Sequence, residues 1–150
     1  MKLIEVKNLN VIFGSKEEKK NALALIDSNL SPIEIKELTN ATVASRNLNF
    51  DIMKNELFVI VGLSGSGKST FVRTLNLLNK PTSGEILVDG LDITKFNKEE
   101  LRNYRRNDIS MVFQNFGLLS HRTVLRNVEY SLEIQGIDKK IREKTAQKAI

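Results

Sequence analysis

The chain has no cysteine, no tryptophan and one histidine among its 150 residues. Without cysteine it can form neither a disulfide nor a thiolate metal site, which is compatible with a cytosolic setting. A single histidine leaves no set of residues from which a zinc site or a nucleophilic constellation could be built. The composition therefore argues against zinc chemistry and against nucleophilic catalysis.

Long apolar runs are missing as well. No run approaches the roughly 18 residues that a membrane-spanning helix needs. The first residues, MKLIEV, lack the apolar core of a signal peptide and are typical of a strand. If the protein works at a membrane, we expect it to dock there through a partner.

The charge balance is mildly basic, with 23 basic and 18 acidic residues and a net charge of +5. Such a charge suits a nucleotide ligand or a nearby anionic membrane surface. Aromatic residues make up only 6% and do not alternate with basic ones, so we expect no nucleic-acid partner. The basic residues Arg102, Arg105 and Arg106 follow helical spacing and predict a solvated helix face.

The most informative segment is residues 62–70, which read GLSGSGKST and fit the pattern G-x-x-x-x-G-K-[ST]. The preceding residues 57–61, LFVIV, form an apolar run of strand length. Residues 71–78 carry apolar side chains at helical spacing. A strand, a glycine-rich loop and a helix are the context in which this pattern indicates a phosphate-binding P-loop, although a serine- and glycine-rich turn is the alternative.

The residue types of this loop fit phosphate chemistry. Glycines allow the backbone to approach phosphate oxygens, and the loop N–H groups and the helix N-terminus then face the anion. Lys68 supplies a charge for the outer phosphates, and the Ser69 hydroxyl is placed to bind Mg²⁺. We therefore predict that the chain binds a nucleoside triphosphate, with ATP as the first candidate. The residues predicted to bind it are Gly62, Leu63, Ser64, Gly65, Ser66, Gly67, Lys68, Ser69 and Thr70.

The rest of the chain gives a coarse plan of secondary structure. An exposed turn is expected at residues 15–21 and a helical insert at about 22–38, with a capped helix start at Ser31. Asp89-Gly90 predicts a hairpin turn. Periodicity predicts strands at 3–13, from 44 onward, 57–61, 85–88 and 109–113, and helices at 71–78, 98–106, 124–132 and 138–150. Because the last pattern is still in register at residue 150, we expect a longer native protein.

Several segments together resemble the N-terminal part of an ABC-transporter ATP-binding subunit. Phe113-Gln114 matches the Q-loop of that family, residues 81–90 match its strand after the first helix, and Phe13 matches its base-stacking aromatic. The helical insert and residues 118–124, LLSHRTV, are similar to the glycine betaine/proline branch in particular. The resemblance implies an incomplete α/β P-loop NTPase fold, a mixed sheet with a strand–P-loop–helix core and antiparallel strands. Residues 1–150 would be a partial domain whose C-terminal remainder is absent.

The same resemblance implies roles for individual residues. Phe13 would stack on the base, and residues 62–70 would hold the phosphates. Ser69 and Gln114 would bind Mg²⁺, and Lys68 and Gln114 would act in catalysis. The cofactors would accordingly be ATP and Mg²⁺.

The resemblance also implies partners and a location. Residues Asn115–Thr123 would contact a transmembrane permease, and a second ATP-binding subunit would join head to tail. A solute-binding protein would take part indirectly. The protein would sit peripherally at the cytoplasmic face of the cell membrane and drive uptake of an osmoprotectant such as glycine betaine or proline. The family's L-S-G-G segment, Asp-Glu strand and switch histidine are not present, so this chain alone is expected to bind Mg-ATP without efficient turnover.

Alternatives remain open for single residues. Phe13 could be an ordinary strand aromatic, and Gln114 a polar residue at a strand end. Ser120 stands where many relatives have proline, and Asn55 where many have glycine. His121 follows the Q-loop directly, so it is expected to be an exposed loop residue at the permease contact rather than the switch histidine.

Two other functions also remain open. The chain could be a short protein or remnant that binds a nucleotide without catalysis. It could also be a different P-loop enzyme, such as a small kinase or a GTPase. Residues 79–82, NKPT, lack the aspartate of the guanine-reading N-K-x-D segment, and no arginine-rich lid is evident, so this second alternative is disfavoured.

Overall fold

The computed structural model describes residues 1–114 and 116–150, which form two compact units, Met1–Ile109 and Ser110–Ile150. Asn115, part of the predicted permease contact, lies outside the described residues. Within the described residues, no helix has the length and apolar character needed to cross a membrane.

The first unit is built on a four-stranded antiparallel sheet in the order β2-β1-β3-β4. Its strands are β1 (Lys2–Phe13), β2 (Thr42–Met53), β3 (Ser83–Val88) and β4 (Leu91–Asp92). Val6 of β1 pairs with Phe50 of β2 on one side and with Ile86 of β3 on the other. The predictions for β1, β2 and β3 are therefore confirmed, and on β2 the half-buried Leu48, Phe50 and Ile52 alternate with exposed neighbours.

Left-handed residues shape the sheet and its turns. Asp89 and Gly90 have φ of 46° and 83° and join β3 to β4, which confirms the predicted hairpin turn. The β1–β2 ladder is broken by register shifts around Asn8 and Asn47, whose φ values are 47° and 45°. The buried Asn10 side chain supports this irregularity, since its Oδ1 accepts from Asn47 N at 2.7 Å.

The insert between β1 and β2 contains two helices, α1 (Lys16–Ala24) and α2 (Pro32–Thr39). The exposed turn predicted at 15–21 is wrong, because Ser15 caps α1 and its capping box with Glu18 satisfies N–H groups at the helix start. The capped start predicted at Ser31 is confirmed by a second capping box. The insert packs on β1 through a buried cluster of Ile12, Ala22, Ile26, Ile35 and Ala41.

Two further helices cover the sheet of the first unit, α3 (Lys68–Leu75) and α4 (Lys98–Asn107), with a 3₁₀ turn at Ile93–Lys95. Arg102, Arg105 and Arg106 are all exposed, which confirms the predicted solvated face of α4, and Arg105 is also a hydrogen-bond donor. Its guanidinium donates to the carbonyls of Asn76 and Leu77, each at 2.8 Å. Carbonyls at the end of a helix lack intrahelical partners, so a cation is favourable there.

The main core lies between the sheet and these helices. It is formed by the buried residues Val6, Leu9, Phe71, Leu77, Ile86, Ile93 and Tyr104. The Tyr104 hydroxyl donates to the Leu75 carbonyl at 2.9 Å. Burial, with a smaller contribution from Asp108, raises the pKa of Tyr104 to about 12. The phenol is thus held neutral inside the core.

Two predicted strands are not formed. Residues 57–61 and 109–113 are outside any strand, with Leu57 90% exposed and Val112 92% exposed. A strand requires a ladder of backbone hydrogen bonds with a neighbouring strand, and neither run belongs to the four-stranded sheet. Segment 57–61 is instead held by its side chains, with the Phe58 ring stacked on Phe50 at 5.1 Å. The described sheet is therefore wholly antiparallel rather than mixed.

The second unit is helical, with α5 (Val124–Val128), α6 (Tyr130–Ile134) and α7 (Lys139–Ala149). The helix predicted at 124–132 is divided at Glu129, which caps both α5 and α6. Arg142 Nε lies 3.3 Å from the carboxylate of the buried Glu129. A terminal guanidinium nitrogen of Arg122 lies 2.6 Å from the carboxylate of Glu133. The hydrogen bond from Arg122 lowers the pKa of Glu133.

We predict that Ile86→Ala lowers the free energy of unfolding of the first unit by about 2–5 kcal/mol, because the substitution leaves a cavity in a core with little freedom to collapse. Ile86 is 0% exposed, whereas Ile33 on α2 is 70% exposed. Ile33→Ala is therefore the matched control and should change the value by no more than about 0.5 kcal/mol. Urea unfolding followed by circular dichroism measures both, and equal losses would contradict the assignment of the core.

We predict a pH dependence carried by Tyr104. Because its folded pKa is raised from 10.0 to about 12, its contribution to stability is complete below pH 10 and is lost as the pH rises towards 12. The phenolate absorbance of the wild type minus that of Tyr104→Phe should titrate with a midpoint of about 12. Tyr130→Phe, the control at the only other tyrosine, should keep this step. A Tyr104 midpoint of about 10 in a folded sample would mean that the hydroxyl is not buried.

Candidate functional site

The candidate site forms where segment 57–67 enters α3. Gly67 is the N-cap of α3, with φ of 87° and no side-chain capping hydrogen bond. The first N–H groups of an α-helix have no intrahelical acceptor, so here they are left for an external one. Backbone donors and the positive helix end together favour an anion.

Lys68 closes the loop on itself. Its ammonium donates to the carbonyls of Gly62 at 2.6 Å and Leu63 at 2.7 Å, and lies 3.4 Å from the Ser66 hydroxyl. No carboxylate among the described residues forms an ion pair with it. The cation is therefore held by neutral carbonyls, which a phosphate oxygen can replace as a stronger, charge-assisted acceptor.

Close backbone contact explains the glycine at position 67. A Cβ built on Gly67 would lie 2.1 Å from the carbonyl oxygen of Ala44 on β2. A Cβ on Gly62 would lie 2.7 Å from the Ser66 hydroxyl, whereas Gly65, with φ of 79°, has open space around it. A glycine is therefore needed at position 67 because the loop packs directly on β2. At position 65 a glycine is favoured because the backbone has a positive φ.

A cavity of about 680 Å³ lies beside the loop. Its lining comes from β2, segment 58–62, the loop and the start of α3, and is mainly apolar. Among the described lining residues the charged groups are Arg46 and Lys68, both cations, and none is a carboxylate. Such a lining attracts an anionic ligand that carries an apolar part.

The other predicted residues of the first unit, Phe13, Leu63, Ser64, Ser69 and Thr70, are not among the described residues that line this cavity. Ser69 is exposed in the first turn of α3, and the Thr70 carbonyl accepts from the Thr74 hydroxyl at 2.8 Å. Ser64 is exposed in the loop. Phe13 is 43% exposed at the end of β1, paired with Thr42, and is not among the described residues that line the cavity.

Gln114 belongs to the second unit, where it is an exposed turn residue. Its neighbour Phe113 accepts from Phe116 N at 3.0 Å through the backbone carbonyl. His121 is exposed, as the sequence predicted. It lines a polar cavity of the second unit with Arg122, Arg126, Glu129, Glu133, Lys139 and Arg142. The catalytic and metal-binding roles of Gln114 stay predictions.

Arg46 is the residue of this site that sequence analysis did not single out. It lies on β2 and its guanidinium donates to three backbone carbonyls of the insert. A signal was present in the sequence. By its period-two spacing in the sequence, position 46 continues the series Leu48, Phe50 and Ile52, so a charged residue interrupts an otherwise apolar pattern.

The fold is that of ABC ATPase cassettes. A structure of the ATP-binding cassette MJ0796 in a dimeric post-hydrolysis state bound to ADP and Pi matches 97% of this chain and 54% of the other, with a TM-score of 0.73 and 30% identity. The model of the ABC transporter family matches residues 45–150. The chain therefore belongs to the ABC transporter family.

Two curated relatives are similar to this chain over all or nearly all of its length. The glycine betaine/carnitine transport ATP-binding protein GbuA of Listeria monocytogenes is 50% identical over 150 residues, all of this chain and 37% of its own length. The glycine betaine transport ATP-binding protein OpuAA of Bacillus subtilis is 46% identical over 98% of this chain and 35% of its own length. The chain thus spans little more than a third of these relatives.

We predict that Gly67→Ala destabilises the first unit more than Gly90→Ala does. Both residues have positive φ, 87° and 83°, but a Cβ at Gly90 meets nothing within 4 Å. Gly90→Ala should therefore lower the free energy of unfolding by only about 1–2 kcal/mol, the cost of holding a residue with a Cβ in a left-handed conformation. Gly67→Ala adds a clash with Ala44 that should cost about 1–3 kcal/mol more. Urea unfolding measures the difference, and equal costs would mean that the loop does not rest on β2.

Proposed function

We propose that this chain is the nucleotide-binding part of an ABC importer subunit and that residues 62–70 bind Mg-ATP. The observation that carries the proposal is Lys68, held only by loop carbonyls and the Ser66 hydroxyl at the uncapped start of α3. In the whole protein, ATP binding and hydrolysis would drive uptake of an osmoprotectant such as glycine betaine or proline. The names of GbuA and OpuAA support this substrate class.

Each predicted residue has a role in this proposal. Lys68 leaves its carbonyls for the outer phosphates, and the N–H groups of the loop and of the α3 start bind their oxygens. The Ser69 hydroxyl would be one of the ligands that hold Mg²⁺, and the metal would neutralise charge on the phosphates. Gln114 would be a further Mg²⁺ ligand and would position the attacking water, and Phe13 would stack on the base. The ADP and Pi in the MJ0796 structure support the nucleotide assignment.

We propose further that the 150 residues alone bind Mg-ATP with little turnover. Hydrolysis requires a group that positions and deprotonates water next to the γ-phosphate. The described residues that line the cavity beside the loop include no carboxylate for this role. This observation also favours the second candidate function, a nucleotide-binding protein without catalysis, and phosphate release by the isolated chain would argue against both statements.

The partners follow from the same assignment. We propose that residues 115–123 contact a transmembrane permease at the cytoplasmic face of the membrane, with a solute-binding protein acting indirectly. The neighbouring polar cavity, with His121, Arg122 and Arg126 in its lining, provides charged groups beside this contact. A second ATP-binding subunit would pair with this one head to tail, and the dimeric state of the MJ0796 structure supports the pairing as such.

The binding of Mg-ATP is tested by calorimetry on the purified chain. We expect saturable binding that Lys68→Ala abolishes, because the variant lacks the cation that faces the outer phosphates. Lys20→Ala, which removes an exposed lysine from α1, is the matched control and should bind as the wild type does. Unchanged binding in Lys68→Ala would refute the proposed site.

A further inference from the structure

Arg46 joins the helical insert to the sheet. Its Nε donates to the Ile26 carbonyl at 2.7 Å and one terminal nitrogen donates to Leu30 at 2.6 Å. The other terminal nitrogen donates to the Ser28 carbonyl. All three acceptors belong to residues 25–31, the insert loop between α1 and α2. One side chain therefore fixes three alternate carbonyls of this loop.

The same strand also contacts residues 62–70, the proposed phosphate loop. Arg46 and Ala44 lie two residues apart on β2, and both line the cavity beside residues 62–70. The Ala44 carbonyl is the group against which Gly67 is seated, at a distance that leaves no room for a Cβ. Arg46 and Gly67 also line one cavity, together with Pro32 from the first turn of α2. A continuous series of contacts therefore runs from the insert loop through β2 to the start of α3.

The insert lies outside the residues that the family model matches. That match begins at residue 45, whereas the alignments to GbuA and OpuAA cover 100% and 98% of this chain. The alignments to these two betaine transport subunits therefore run through the insert. Its attachment to the strand under the phosphate loop gives it a place in the nucleotide site.

We propose that Arg46 is a positioning residue for nucleotide binding, which acts by locking the insert loop to β2 and thereby holding the phosphate loop in its binding conformation. The inference rests on the proposed Mg-ATP site. Arginine suits this task because its planar fork presents donors in fixed directions, whereas lysine offers a point charge on a flexible stem. We therefore expect that a positive charge at position 46 does not by itself hold the insert loop on β2.

The test compares the wild type with Arg46→Lys by hydrogen exchange and mass spectrometry, without nucleotide. We expect faster exchange both in residues 25–31 and in residues 62–70. Arg105→Lys is the matched control, since Arg105 also holds two backbone carbonyls but at the other end of α3. It should leave residues 62–70 unchanged. Faster exchange confined to residues 25–31 in Arg46→Lys would overturn the inference, because Arg46 would then only stabilise the insert.

Calorimetry gives the second measurement. If the binding-competent loop becomes a minority conformation, the apparent Kd for Mg-ATP rises in inverse proportion to its population, and we expect about a fivefold increase in Arg46→Lys. A Kd within about twofold of both the wild type and Arg105→Lys would overturn the inference. If the wild type itself fails to bind Mg-ATP, the proposed function fails, and the exchange comparison still decides whether Arg46 orders the phosphate loop.

Discussion

The close approach of Gly67 to the Ala44 carbonyl is the contact on which the candidate site depends. It brings the start of α3 onto β2 without an intervening side chain. Because α3 begins at this point, the contact also fixes the uncapped N–H groups and the place from which Lys68 folds back over the loop. The loop of residues 62–67 is therefore shaped by a neighbouring strand as well as by its own glycines.

The helical insert is attached to the same strand, β2, on which the candidate site depends. A segment placed between β1 and β2 could have been a surface addition with no bearing on the site. Its loop is instead bound by Arg46, from the strand that supports Gly67. Its helices bury Ile35 against Ile12 of β1. Strand β2 thus contacts the insert loop through Arg46 and the loop of residues 62–67 through Ala44.

The parts of the fold that the sequence predicted are those with local signals. Period-two alternation identified β2, Asp89-Gly90 identified the hairpin, and the Ser31 capping box identified the start of α2. Residues 57–61 have the same strand composition but form no strand, because pairing depends on a distant backbone that composition does not reveal. Arg46 was missed for a similar reason. Its acceptors are carbonyls 16 to 20 residues away, and backbone carbonyls carry no sequence signature.

The asparagines in left-handed conformation have a further consequence at the sheet margin. Strand β2 is the outermost strand on its side, where an extended segment of another molecule could add to a free row of N–H and C=O groups. The irregular pairing around Asn47 bends this row and interrupts its spacing. A straight incoming strand would find only short matching stretches, so the irregularity that Asn10 supports also protects the edge against unwanted strand addition.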